Sequence, residues 1–451
     1  MASKNRWSRV REGFRTQLWP VPLIGVLLAI TLGVVMPSID VALADVLPAA
    51  LTSYLFGGGP SQASEMLSTI AGSLITVTSL TFSLTVVTLQ LASAQYSPRL
   101  LRTFARDRFV QLTLALFLST FAYALVVLRT VRLSGNGSES FVPRVSVTLA
   151  YLLALASVIG LVLFLAHLVR EIRVETMMTT VRADASVATA QVFKEMDDAD
   201  ASRQIPSIPA HAALIHARAD GFLAGLDQQG LLSAAEEQDA VVVIDRMAGD
   251  WVVKDTPVAY AWSTDPGVRF DEDELGKLAD QVTAAIHTAD ERTPVQDVAY
   301  GLRQLTDVAV KALSPGINDP TTAVHALGHI STLLCQFAQR QLGATVLCSD
   351  DDVVRLVIRR PDLPQLLDVA IAQPRLYGAE DPLVLERLFA VLRDLAWRAD
   401  RPEHQEAIRD QLERLRRTVT EQNFEPAKRE RLANAGLAVE GALAKSWLPS
   451  M

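Results

Sequence analysis

The chain has 451 residues, 50% of them apolar and 20% charged, with a mean hydropathy of +0.23 and a formal net charge of −8. Globular domains carry about a quarter charged residues, so the apolar surplus belongs in a membrane, and a simple cytosolic enzyme is excluded. Two cysteines, Cys335 and Cys348, exclude a disulfide framework, and the acidic balance excludes a nucleic-acid binder.

The surplus is unevenly placed. Residues 1–170 carry 13 Lys/Arg against 6 Asp/Glu, and the remainder 29 against 44. The first part reads as a membrane unit, the second as an acidic soluble unit long enough for its own core. A basic N-terminus, 1–17, holds Lys4, Arg6, Arg9, Arg11 and Arg15. Within 18–170, four stretches reach the length that crosses hydrocarbon: 18–36, 66–90, 109–131 and 146–169. None holds Asp, Glu or Lys, and Arg129 is the one Arg. The first is longer than a signal-peptide apolar region and precedes three more spans, so it is read as a retained helix.

The outer loop, 37–65, has no Lys or Arg. Its stretch 41–56 is apolar apart from Asp45, Thr52 and Ser53 and ends in Gly57-Gly58-Gly59-Pro60, which suggests an interfacial helix or a re-entrant segment. Asp40 and Asp45 are either solvated loop acids or an acidic ring at an outer mouth.

The second span differs in kind. It holds ten Ser/Thr, against one, four and three in the others. At 100° per residue Thr69, Ser73, Thr76, Ser79, Ser83 and Gln90 share one face, and Thr78, Thr81, Thr85 and Thr88 the opposite one. Hydroxyls survive in lipid by bonding the carbonyl one turn back. Two readings stand: a central helix glued to its neighbours by small polar contacts, or a stripe lining a water-filled path between subunits of a homo-oligomer. Coupled transport is disfavoured, because carriers place acids or His within the membrane and only His167 comes near.

The cytoplasmic junction, 91–108, follows. Ser97 as N-cap and Pro98 at the first helical position start a helix bearing Arg99, Arg102, Arg106 and Arg108. These arginines bind anionic headgroups, or couple the polar span to what lies beneath. The Lys/Arg distribution places both termini of a multi-pass protein in the cytoplasm, although Arg129, Arg132 and Arg144 weigh the other way.

The run TVTSLTFSLTVVTLQLASAQYSPRLLR and the segment ALSPGINDPTTA at 312–323 resemble a family of predicted bacterial membrane proteins, domain of unknown function 2254. So do Gly249-Asp250-Trp251-Val252 and Gln296-Asp297 ahead of Gly301-Leu302-Arg303-Gln304-Leu305. The resemblance implies a four-span membrane unit with a cytoplasmic domain, and no activity.

The expected fold is therefore a polytopic α-helical membrane protein with four transmembrane helices and a cytoplasmic α+β domain. Residues 171–265 form a linker helix and a β-rich module, with strand-like runs 213–217, 222–226, 240–245, 251–253 and 258–262. The Gly-Asp-x-Val pattern looks like the small barrel-sandwich modules of lipoyl and biotinyl carriers. The modified-lysine hairpin is missing and Lys254 sits in the wrong turn, so no cofactor is expected.

Residues 266–451 read as a helical bundle. Asp271-Glu272-Asp273-Glu274 opens a helix to about 288, and these acids suit a helix start better than a metal. A helix over 295–313 stops at Ser314-Pro315-Gly316, and Asp319-Pro320 begins the next, over 321–339. Ser314, Pro315, Gly316, Asn318 and Asp319 make a sharp turn, a candidate contact with the arginine junction or a neighbouring subunit. His325 and His329 have ligand spacing but no third ligand, so no metal is expected. Helices over 362–372, 382–398 and 403–422 complete the bundle. Phosphate loop, dinucleotide fingerprint, nucleophile elbow and zincin motif are all absent, and no catalytic residue is assigned. The reading is an oligomeric ion- or small-solute-conducting channel with 66–90 lining the path and the cytoplasmic domain assembling or gating it. A membrane-anchored sensor or scaffold without conduction is the alternative.

Overall fold

The computed structural model describes residues 19–43, 54–95, 107–132, 141–171, 173–196 and 205–447. They form two compact units, Met1–Thr176 and Met177–Met451.

The first unit is built from α1 (Pro20–Leu43), α2 (Pro60–Gln95), α3 (Arg108–Leu128) and α4 (Arg144–Glu171). Helix is the conformation that satisfies every backbone polar group without water, and all four helices are long and apolar enough to cross a membrane. The centre of this unit is α3. More than half of its apolar window is buried against a third or less in the others, and it packs on all three. The reading that made the hydroxyl-rich α2 the central helix is thereby corrected.

Small residues let α1 approach α3. A Cβ added at Gly25 would stand 2.7 Å from the Ser119 hydroxyl, and one at Gly33 2.9 Å from Val126. Such close backbone approach is a main source of attraction between helices in lipid. Phe117, Tyr123 and Phe164 are the largest fully buried side chains of this unit among the described residues.

The outer loop begins later than its composition suggests. Helix α1 runs through Pro37 to Leu43. Asp40 is therefore buried on a helix end and is no solvated loop acid. Phe56 donates its N–H to the Thr148 hydroxyl at 2.9 Å. Asp45 and the rest of 44–53 lie outside the described residues.

The second unit opens with α5 (Val174–Val192), which straddles the division between the units. Strands β1 (Ala213–His216), β2 (Gly221–Leu226), β3 (Ala240–Ile244), β4 (Trp251–Val252) and β5 (Pro257–Ser263) follow, with α6 (Gln228–Glu237) after β2. Further along come α7 (Glu272–Ala285), β6 (Ile286–Ala289), α8 (Val298–Ala312), α9 (Pro320–Phe337), β7 (Thr345–Cys348) and β8 (Val354–Ile358). The chain closes on α10 (Leu363–Tyr377), α11 (Pro382–Arg398), α12 (Pro402–Glu421) and α13 (Pro426–Leu443).

The strands read as a barrel-sandwich over 212–262 are divided between two sheets. One has the order β1-β5-β3-β8-β7, and the other β4-β2-β6. Both recruit strands from beyond residue 265, where sequence periodicity indicates only helix. Strand β8 pairs parallel with β3 through Val242 and Leu356 and through Ile244 and Ile358, a connection that requires a long crossover. Here the connection carries β4, β5, α7, β6, α8, α9 and β7. Helix α7 stops at Ala285 because Ile286–Ala289 pairs with β2, so strand pairing overrides the helical continuation expected to 288. The shared core takes Ile215, Leu223 and Ile244 from the early strands, Leu278 and Val282 from α7, and Leu356 from β8. Each such side chain contributes roughly 1.5–3 kcal/mol.

The helices start where local chemistry dictates. Asp271 with Glu274 and Asp362 with Gln365 form capping boxes. Proline occupies the first turn of α9, α10, α11, α12 and α13, where its missing N–H costs nothing.

Candidate functional site

Each hydroxyl-stripe residue of the second span is described. Thr69, Ser73, Thr76, Ser79, Ser83 and Gln90 are all exposed on the first unit. Thr78, Thr81, Thr85 and Thr88 turn inward and are 2–8% exposed. Thr78, Thr85 and Thr88 donate to the carbonyls of Leu74, Thr81 and Leu84 at 2.6–2.8 Å. The Thr81 hydroxyl is buried with no partner among the described residues. The outer stripe is interrupted. Leu80 and Val87 fall on the azimuth of Thr69, Ser73, Thr76, Ser83 and Gln90, and they are 68% and 46% exposed. Near the Pro60 end, Thr69 lines an open groove of about 540 Å³ with Glu65 and Met66 of α2 and Tyr151 and Val158 of α4.

At the other end of this unit, Asp107 caps α3 by accepting from the Phe109 N–H at 2.8 Å. Its second oxygen meets His167 Nε2 at 2.5 Å, with Phe109 against the imidazole. His167, the histidine that comes near the spans in sequence, is thus half of a polar pair. The junction residues Ser97, Pro98, Arg99 and Arg102 lie outside the described residues.

The second candidate turn, 314–319, is ordered from within. Ser314 Oγ donates to the Lys311 carbonyl at 2.7 Å, and the N–H of Asn318 to the Ser314 carbonyl at 2.8 Å. Asn318 takes a left-handed φ of 48°, which Asn tolerates better than most residues. Asp319 caps α9, accepting from the Thr322 N–H and hydroxyl, and the hydroxyl bond leads the effects that hold its carboxyl below the usual range. Pro315, Gly316, Ile317 and Asn318 stay exposed. Among the described residues no three His, Cys, Asp or Glu converge to hold a metal.

Sequence reasoning missed a third place. The family-like runs Gly249-Asp250 and Gln296-Asp297, 47 positions apart, meet at strand β2. The 247–250 turn is fastened to Leu223 by two backbone bonds of 2.8 Å, and the Asp250 carboxylate accepts from the Met247 N–H at 2.8 Å. From the other side the Gln296 amide clasps both backbone polar groups of Leu226, at 2.9 and 3.1 Å. Asp297 therefore lands beside Gly249. Gly249 has φ +93°, and a Cβ there would lie 2.2 Å from Asp297 Oδ2, so no larger residue fits.

Asp297 is 3% exposed. Arg292 donates to its Oδ2 from Nε at 2.7 Å and from a terminal nitrogen at 2.6 Å, with its guanidinium 5.5 Å from the Tyr300 ring centre. Oδ1 is buried with no partner among the described residues. Burial pushes the Asp297 carboxyl up to about 6, against the pull of Arg292 and with a small push from Asp250.

These groups line a cavity of about 180 Å³. Its apolar wall includes Leu226, Ile358 and Leu366, and Arg359 and Arg360 stand at its edge. Arg359 pairs with Asp245 at 2.8 Å. Arg360 donates to the Val192 carbonyl at 2.8 Å, while its Nε is buried with no partner among the described residues. Burial alone pushes the Arg360 guanidinium down to about 10. Drug-sized ligand pockets run to roughly 300–1,000 Å³, so this one suits a smaller guest.

The family model described as "Predicted membrane protein (DUF2254)" matches residues 15–394. An uncharacterized protein of Mycobacterium bovis and one of Mycobacterium tuberculosis are each 33% identical over 413 residues, covering 90% of this chain and 77% of their own length. No solved structure matches.

Proposed function

Because the chain belongs to the family Predicted membrane protein (DUF2254), we propose a function that begins in the bilayer: it is an oligomeric channel for ions or small solutes. It sits in the bacterial inner membrane with both termini in the cytoplasm. The observation that carries this reading is the exposure of Thr69, Ser73, Thr76, Ser79, Ser83 and Gln90 on a unit whose central helix is a different one. A hydroxyl stripe facing out of one copy is supplied with water where several copies bring their α2 helices together, and hydroxyls solvate ions without a strong charge preference. Leu80 and Val87 on the same azimuth form apolar rings between the polar ones, the arrangement that closes a pore by dewetting. The second unit assembles or gates the path. Purified protein in liposomes, assayed for ion flux with and without Thr76→Leu and Ser83→Leu, tests this. Flux in the wild type that falls in both variants supports it, and intact oligomers with no flux under any condition overturn it.

A second reading, a membrane-anchored sensor or scaffold without conduction, is favoured by the cavity beside Asp297. It places partner contacts at the exposed turn 314–319. Loss of co-purifying partners in Asn318→Ala, with flux absent throughout, selects it.

A further inference from the structure

Two ionic groups beside the cavity are incompletely matched. Arg360 has no carboxylate at ion-pair distance among the described residues, and the burial that pushes its guanidinium down is opposed by no neighbouring charge. Asp297 satisfies Oδ2 with Arg292 and leaves Oδ1 buried with no hydrogen-bond partner among the described residues. Buried charge and buried polar atoms without partners are costly, and such atoms in a native fold point to something that completes them.

The remaining charges balance. Arg292 is matched by Asp297 and Arg359 by Asp245, while Arg360 and Asp250 both line the cavity with no ion pair among the described residues. A plain anion would leave the carboxylates unserved, and a plain cation would leave Arg360 unserved. About 180 Å³ lies below the roughly 300–1,000 Å³ of drug-sized pockets, which limits the guest to a small molecule. The lining is mainly apolar, so the guest carries an aliphatic portion between or beside its polar ends.

We infer that this cavity binds a small zwitterion of the free amino-acid class, with its carboxylate at Arg360 and its ammonium at Asp297 and Asp250. The site is built by Gly249-Asp250 and Gln296-Asp297 together, and neither run suffices alone. Binding there does not depend on conduction, so its outcome is separate from that of the channel reading.

The test uses the full chain in detergent and a panel of the twenty free amino acids, read by thermal unfolding and by calorimetric titration. At least one amino acid raises the melting temperature, while its hydroxy-acid counterpart and its decarboxylated amine raise it less. Arg360→Gln weakens that binding at least about tenfold, the loss of one charge-assisted contact. Ala299→Leu fills the cavity without touching a charge and abolishes binding, which covers the case in which a charge variant fails to fold. The inference is overturned if no amino acid binds the wild type, if lactate matches alanine or acetate matches glycine, or if Ala299→Leu binds as well as the wild type.

Discussion

Asp40 caps the helix of Ser146. The carboxylate at the end of α1 accepts from the Ser146 N–H at 2.9 Å and hydroxyl at 2.5 Å, and from the Val145 N–H at 2.7 Å. Tyr123 of α3 donates to the Ser146 carbonyl at 3.2 Å, so three helices are tied at one point. The first amides of a helix have no internal partner, and a negative charge there is favourable. Asp40→Ala leaves buried amides unpaired and is expected to cost about 1–3 kcal/mol, read as a lower melting temperature of the detergent-solubilised protein. Asp40→Asn recovers part of the loss. An unchanged melting temperature in Asp40→Ala would show that the cap is unimportant.

Gly249 is required by its neighbour and by its backbone. With φ +93° and Asp297 Oδ2 where a Cβ would be, Gly249→Ala is expected to destabilise the second unit by about 2–4 kcal/mol, strain and overpacking together. Chemical unfolding followed by tryptophan fluorescence measures this. If the close approach dominates, the cost shrinks in an Asp297→Ser background. An equal cost in both backgrounds assigns it to the backbone alone.

The spans were legible in the sequence because long apolar runs have one meaning in a chain with this charge distribution. The two faces of α2 were legible as well, because helical periodicity separates Thr76 from Thr78. Which face is buried was not, since both are hydroxylated and the answer depends on α3. Strands β7 and β8 were hidden for another reason: each is five residues or fewer, and β8 is held by a partner, β3, more than a hundred positions earlier. Asp297 was hidden by its partners. Arg292, five residues before it, looks like loop charge, and nothing local brings Gly249 to it. The usable signal was the pair of family-like runs, which share one site although they stand apart in the chain.

Asp297 confers a pH dependence whose sign follows from its environment. Its folded-state value is raised from 3.8 to about 6, first by burial, against Arg292 and with a small push from Asp250. Between those values the folded protein keeps a proton that the unfolded chain has released. The contribution of this group is therefore fully present below about pH 4, is lost as pH rises to about 6, and is flat above, a change of about 3 kcal/mol. The stability difference between wild type and Asp297→Asn is expected to drift against the wild type across that window. Parallel pH curves would remove Asp297 as their source.

Leu80 and Val87 give the conduction reading a gain-of-function test. If apolar rings on the stripe hold the path dry, Leu80→Ser hydrates it and raises liposome flux by about tenfold or more, since removing about 1.4 kcal/mol of barrier is a factor of ten. The same change at Phe82, exposed on α2 but off that azimuth, leaves flux unchanged. Equal effects at both positions would mean that the azimuth carries no meaning.

Water along the stripe is directly measurable, and it separates conduit from lipid-facing surface. A thiol reacts with maleimide as the thiolate, which forms in water and is suppressed in apolar surroundings. In proteoliposomes, single cysteines at Ser73, Thr76 and Ser83 are expected to react at least about tenfold faster than those at Thr78, Thr81 and Thr85, because on the conduction reading the first set meets water while the second is packed. Burial alone yields the same contrast, so the decisive comparison is with Ile75 and Phe82, which are exposed on the same helix but off the stripe. If Thr76 and Ser83 react no faster than Ile75 and Phe82, the exposed arc meets lipid throughout and α2 lines no path. Faster reaction confined to the stripe, slowed by dilution of the oligomer in lipid, ties the water to assembly, since one copy with four helices has no lumen to hold it.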